Sequence, residues 1–181
     1  MQYRFIIISD EVEDFMREIK IDSNDKFLSL HKAIIKACGY NDDDITSFTI
    51  CENGWEKVMD ITLEDFSDSS EQDSYVMKST RLSEFLQDEK QHMLYTFDSL
   101  GDRKFFIELA EITKGHLDEP VISRQIGQPP IQHLDFDELM ARNPVVNNDA
   151  GTVIDEDMTS DTFSEEDLEM EGLDFMDESF R

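Results

Sequence analysis

A chain of 181 residues has room for one ordinary domain, and giving part of it to a tail still leaves enough for a sizeable core. Its 16 Lys and Arg stand against 43 Asp and Glu, a formal net charge of -27, which repels nucleic-acid phosphates and anionic membrane surfaces over a Debye length. Direct nucleic-acid binding and membrane binding are therefore not expected.

The charge is unevenly spread. Residues 1–130 carry 27 acids and 14 bases, whereas residues 131–181 carry 16 acids and 2 bases, a density that works against compaction in the second part. We expect an α+β domain over 1–130, a short helix and linker over 131–150, and an acidic tail over 151–181.

The first predicted element is "YRFIIIS", rich in Ile and aromatics with both alternating faces apolar, the pattern of an interior strand. Its apolar run, Phe5 to Ile8, is too short for a signal sequence or a membrane span, so a cytoplasmic protein is expected. In "DFMREIKI", Phe15, Ile19 and Ile21 share one side of a two-residue period and Met16, Glu18 and Lys20 the other, which predicts a half-buried strand paired with the first as a hairpin. The period then changes. Phe27, Leu30, Ile34 and Cys38 recur at helical spacing, with Ser23, Asn24 and Asp25 available as caps and Gly39 placed to stop the helix.

"SFTICENGWEKVMD" predicts a strand, a turn at Asn53-Gly54 and a return strand; the stretch from Ser67 to Ser74 is loop-like. A brief helix is expected at "RLSEFL". "HMLYTF" and "KFFIELAEI" then predict two strands joined by a turn around "DSLGDR", with Phe105, Ile107 and Leu109 on one face. A last helix, "FDELMAR", should begin near Asp135 and end before Asn143-Pro144. Strand, strand, helix and more strands is an α+β order: a mostly antiparallel sheet, one main covering helix, and a β-grasp-like opening.

Several chemistries lack their residues. Cys38 and Cys51 have no CxxC spacing and read as buried, reduced thiols. His31, His92, His116 and His133 are scattered without close ligand spacing, and counting an EF-hand from Asp42 puts Ser47 and Asn53 where Gly and Glu are needed, so no metal is expected. The seven glycines form no phosphate cradle or nucleophile elbow, so no cofactor is expected either. Ser9 is followed by Asp10 and Glu11, whose negative field opposes both serine ionisation and the approach of DNA.

The stretch "FSEEDLEMEGLDFMDESF", 163–180, carries more apolar residues than a spacer requires. Ser164 with Asp167 fits a capping box, and Leu173, Met176 and Phe180 lie at i, i+3 and i+7 with Leu168 and Phe175 beside them. These residues are read either as anchors for a basic protein surface, toward which the acids steer, or as idle members of a disordered solubilising end, with docking in cis onto the chain's own sheet as a third reading.

"FLSLHKAIIKACGYNDDDITSFTI", "YTFDSLGDRKFFIEL" and "DEPVISRQIGQPP", in this order, make residues 1 to 130 resemble the Ri-plasmid ORF-three-like family, whose members are often labelled insertion-sequence passengers or resolvases. The resemblance rests on Leu30, His31, Ile34, Gly39, Tyr40, Asp43 and Phe48, on Tyr95, Phe97, Asp98, Gly101 and Asp102, and on Pro120, Gly127, Pro129 and Pro130. It implies a compact α+β domain associated with mobile elements. The chain departs from the family pattern at Tyr40, where Trp is usual, and at Ile131 and Gln132, where Glu and Asp are usual. Two functions compete: a non-enzymatic interaction module, and an enzyme or nucleic-acid-processing accessory built around His31, Asp98 and Asp102. The second requires those three to converge.

Overall fold

One eight-stranded sheet in the order β5-β4-β3-β6-β7-β1-β2-β8 organises the protein. The computed structural model describes residues 1–52, 54–64 and 75–134. The chain divides into two units, Met1–Pro144 and Val145–Arg181; the sheet lies in the first, and the second falls outside the described residues. The elements are β1 (Gln2–Ser9), β2 (Met16–Asp22), α1 (Phe27–Cys38), β3 (Ser47–Glu52), β4 (Glu56–Thr62), β5 (Tyr75–Val76), α2 (Leu82–Phe85), β6 (His92–Asp98), β7 (Arg103–Thr113) and β8 (Val121–Ile126). All pairings are antiparallel except β4 with β5. The architecture is α+β, mostly sheet with few helices. Among the described residues no helix is long and apolar enough to cross a membrane.

Alternation decides which face is buried. Tyr3, Phe5 and Ile7 of β1, Ile19 and Ile21 of β2, and Phe105, Ile107 and Leu109 of β7 enter one core with Phe27, Leu30 and Ile34 of α1. Each such side chain contributes roughly 1.5–3 kcal/mol on leaving water. The strand, strand, helix, strand opening is present, but β1 pairs with β7 rather than with β3, and β6 and β7 lie between β1 and β3.

Gly39 ends α1 as expected, at φ 70 with its N–H on the Ile35 carbonyl. The start differs from the expectation of a side-chain cap. Lys26 is the N-cap residue and makes no side-chain cap bond; instead the Phe27 and Leu28 amides donate to the Thr80 and Met77 carbonyls at 3.1 and 3.0 Å. A neighbouring segment thus satisfies the first-turn donors that a cap would otherwise take. Both cysteines are free; Cys51 is buried, and Cys38 is half-buried, its thiol pushed up to about 12 by desolvation. The predicted loop between Ser67 and Ser74 and the predicted helix beginning near Asp135 lie outside the described residues.

Candidate functional site

At one end of the sheet the C-terminal end of α1, the loop over 39–46, the β6–β7 turn and a strap over 127–134 meet. The helical period that buries Leu30 and Ile34 also turns His31 inward, where its exposure falls to 0%. Its Nδ1 lies 2.8 Å from the Tyr95 hydroxyl and its Nε2 2.6 Å from Asp42 Oδ1, with Thr46 Oγ1 3.5 Å from Nδ1. Burial raises the Tyr95 phenol far above its ordinary value, so it is neutral and able to donate to Nδ1, leaving Nε2–H for the Asp42 carboxylate. Both ring nitrogens are thereby engaged.

Arg103 is the second node. Although only 5% exposed, it grips Glu11 as a fork, Nε to Oε1 at 2.7 Å and Nη2 to Oε2 at 2.9 Å, and lies 4.9 Å over the Phe97 ring. Desolvation opposes its charge, but Glu11 and Asp98 outweigh it and raise the guanidinium pKa. Asp98 Oδ2 stands 3.5 Å from Arg103 Nη1, while Asp98 Oδ1 accepts the Gly101 amide at 3.0 Å and shapes the turn. A Cβ on Gly101 would come within 2.6 Å of Asp98 Oδ2 and 3.0 Å of the Arg103 side chain, so any larger residue there would push the Asp98 carboxylate aside.

The strap ties the two nodes together. Arg103 Nη1 donates to the Gln132 carbonyl at 3.1 Å, and the Gln132 side chain accepts the Asn41 amide at 2.7 Å and donates to the Asn41 carbonyl at 2.9 Å and to Asp44 Oδ2 at 2.5 Å. Gln132 is one of the positions that depart from the family pattern. Tyr40, another, donates its hydroxyl to the Pro130 carbonyl at 2.6 Å and stacks on Phe105. Arg17, 4% exposed, holds the start of the strap through Ile126 and Gly127 carbonyls at 2.7 and 3.1 Å and reaches the Ala37 carbonyl at the end of α1 at 3.0 Å. A cation at that helix end is favourable.

His31, Asp98 and Asp102 share no hydrogen bond or ion pair. His31 is enclosed, Asp98 belongs to the Arg103 node, and Asp102 sits at φ 51 with 80% of its side chain exposed, paired with Lys104. Leu168, Leu173, Phe175, Met176 and Phe180 lie outside the described residues. The strap also brings His133 to Asp43 and Asp44, so that one ligand atom from each lies within 4.8 Å of the others. Two carboxylates and an imidazole could hold a divalent cation, although Asp44 is already bonded by Gln132 and lies 3.5 Å from His133. Sequence reasoning missed Arg17 and Arg103, and met Gln132 only as a departure from the family pattern. No local signal distinguishes them, because each is placed by partners distant in the chain.

A single mixed sheet covered by one main helix, its end locked by buried arginines and a carboxyl-terminal strap, defines a small α+β domain class. The sequence profile of the plasmid pRiA4b ORF-3-like proteins matches residues 4–132, and the chain belongs to that family. Among solved structures it is similar to a protein of unknown function, MM3350, from Methanosarcina mazei Go1, at 20% identity and a TM-score of 0.55 over 68% of each chain. That likeness supports the fold. No curated protein matches the chain.

Proposed function

We propose that the chain is a non-enzymatic, cytoplasmic protein-interaction module, associated with a mobile element, whose acidic tail over 151–181 binds a basic surface of another protein. The observation that carries this reading is the 16 acids and 2 bases of residues 131–181, interleaved with Leu168, Leu173, Phe175, Met176 and Phe180. Long-range attraction then speeds encounter and the apolar side chains supply the anchor. The β1-β2-α1-β3 opening is read as β-grasp-like. His31 supports a fold-holding role for the family positions, since both ring nitrogens are taken and no face of the ring is open to a substrate.

The test is recovery of partners by the full chain and by a chain ending at Ala150. Proteins held only by the full chain, and released by salt or by competing DNA, are the expected result. Identical recovery by both chains removes the tail from the function.

A further inference from the structure

The described helices cover one face of the sheet. On the other, the register places Ile126, Met16, Ile8, Phe106 and Leu94 in one transverse row across β8, β2, β1, β7 and β6. Four inter-strand steps of about 4.8 Å make the row roughly 19 Å long. Ile8 is 46% exposed and Ile126 37%. β1 is thus apolar on both faces, the pattern of a strand covered on both sides; on the outer one Leu94 is 5% exposed and Phe106 half-buried, while Ile8 and Ile126 stay open. A contiguous apolar row on so charged a chain marks an interaction surface.

Trp55, the sole tryptophan, folds onto this face from the β3–β4 turn. Its φ is 73, a left-handed conformation that costs a non-glycine residue of order 1–3 kcal/mol and that its surroundings must hold. The indole stacks on His92 at 4.3 Å and meets Phe106 edge-on at 5.0 Å. Ile6, Ile8, Trp55, Phe106 and Glu108 line a hollow of about 130 Å³. Sites that take whole metabolites measure roughly 300–1,000 Å³, so this hollow suits one side chain. Glu108, which lies 3.4 Å from His92 Nε2, brings a carboxylate that is 43% exposed to its edge; Glu52 and Glu89 line the adjoining hollow with Lys90 and His92, and Glu56 and Lys57 are exposed beside Trp55 on β4.

Two aromatic rings, a carboxylate and an acidic rim match a guanidinium carried among apolar neighbours: the cation stacks on the indole and pairs with the carboxylate. We infer that the outer face of the sheet docks an arginine-bearing apolar segment of a basic partner protein, its arginine reaching the open edges of Trp55 and Glu108 beside the His92 ring that both contact, and its apolar neighbours lying along the Ile126–Leu94 row. A second copy is the poorer occupant, because each chain carries -27 and repels its like. The inference goes beyond the tail reading, since it uses no residue of 151–181.

The probe is a blocked pentapeptide, Leu-Arg-Ile-Lys-Leu, with citrulline replacing arginine as its uncharged control, titrated into the isotopically labelled full chain. Trp55 fluorescence and amide shifts at Ile6, Ile8, Phe106 and Glu108 should respond together. Loss of the charged pair or of the stacking ring should weaken binding about fivefold in Glu108→Gln and with the citrulline peptide, and about tenfold in Trp55→Ala. Ending the chain at Ala150 should leave the outer-face shifts in place. If Trp55→Ala does not fold, Glu108→Gln and the citrulline control decide. Shifts confined to 151–181, equal binding of both peptides, or a fluorescence change that follows chain concentration without peptide would each overturn the assignment, the last by showing a second copy in the peptide's place.

Discussion

Ile7 and Ile8 are neighbours of the same type on the same strand, and one is fully buried while the other is 46% exposed. Phe105 and Phe106 repeat the contrast on β7, the strand paired with β1: Phe105 lies fully buried against Phe15, Phe97, Tyr40 and Tyr95, whereas Phe106 meets only Trp55 among the described rings. The sheet therefore has one face closed by its own helices and another, apolar along one row, on which Ile8 and Ile126 stay exposed while Leu94 is buried. A residue's hydrophobicity does not say which face it serves; its neighbours across the sheet do.

The sharpest way to break this comparison is to truncate both rings. Phe105→Ala should cost about 4 kcal/mol in denaturant unfolding, because it opens a cavity in a packed core, and Phe106→Ala about 1 kcal/mol, as expected of a half-exposed site. Equal losses would mean that the outer face is closed too.

Next in size is Arg103→Met. It takes the guanidinium away from Glu11 and Asp98 and releases the Gln132 carbonyl, and removing one partner of a buried pair costs about 3 kcal/mol. Arg103→Lys should recover only part of this, since an ammonium cannot fork onto Glu11. A fully stable Lys variant would show that charge alone, and not the fork, holds this end of the sheet.

The two faces were unequally legible in the sequence. Strands with one buried face announced themselves by period: Phe15, Ile19 and Ile21 are buried as their alternation demands. The edges did not. In β8, Val121–Ile126, five of the six residues are exposed, so no alternation of burial underlies the segment, and β5 has two residues. Nothing in the sequence singled out Arg17 or Arg103, because local pattern cannot see a Glu11 that lies 92 residues from Arg103, or carbonyls at the end of another element. The same limit hid His133 beside Asp43 and Asp44. His31 was singled out through the family resemblance, whereas its bonds to Tyr95 and Asp42 became visible only once β6 was set beneath α1.

A smaller effect probes the inner face through that histidine. His31→Phe keeps an aromatic ring but takes the partner nitrogens from the buried Tyr95 hydroxyl and from Asp42, which should cost about 2 kcal/mol. Amide exchange should rise first across 40–46, the loop that Asp42 ties to the helix. A loss spread evenly over the sheet would instead assign His31 to general packing.

The smallest effect lies where a buried group meets an exposed one. Asp22 is 2% exposed, whereas the side chain of its partner His116 is 72% exposed, at 2.7 Å. Burial opposes ionisation of Asp22, but the Asn24 amide and the His116 ring outweigh it and hold the carboxyl at about 2; in return the bond from Asp22 raises His116 above its ordinary value. The signs follow from linkage. The stabilisation by His116 is complete below its unfolded value and disappears as pH rises through the raised folded one, while the Asp22 contribution is present above the ordinary carboxylate range and is lost as pH falls toward about 2. In a His116→Gln variant, Asp22 should titrate higher by carboxyl NMR, and the variant should match the parent in melting temperature at pH 9 while falling slightly below it at pH 5.5. A constant difference at both values would mean that the ring acts by contact alone, because a charged pair must weaken once the imidazolium gives up its proton.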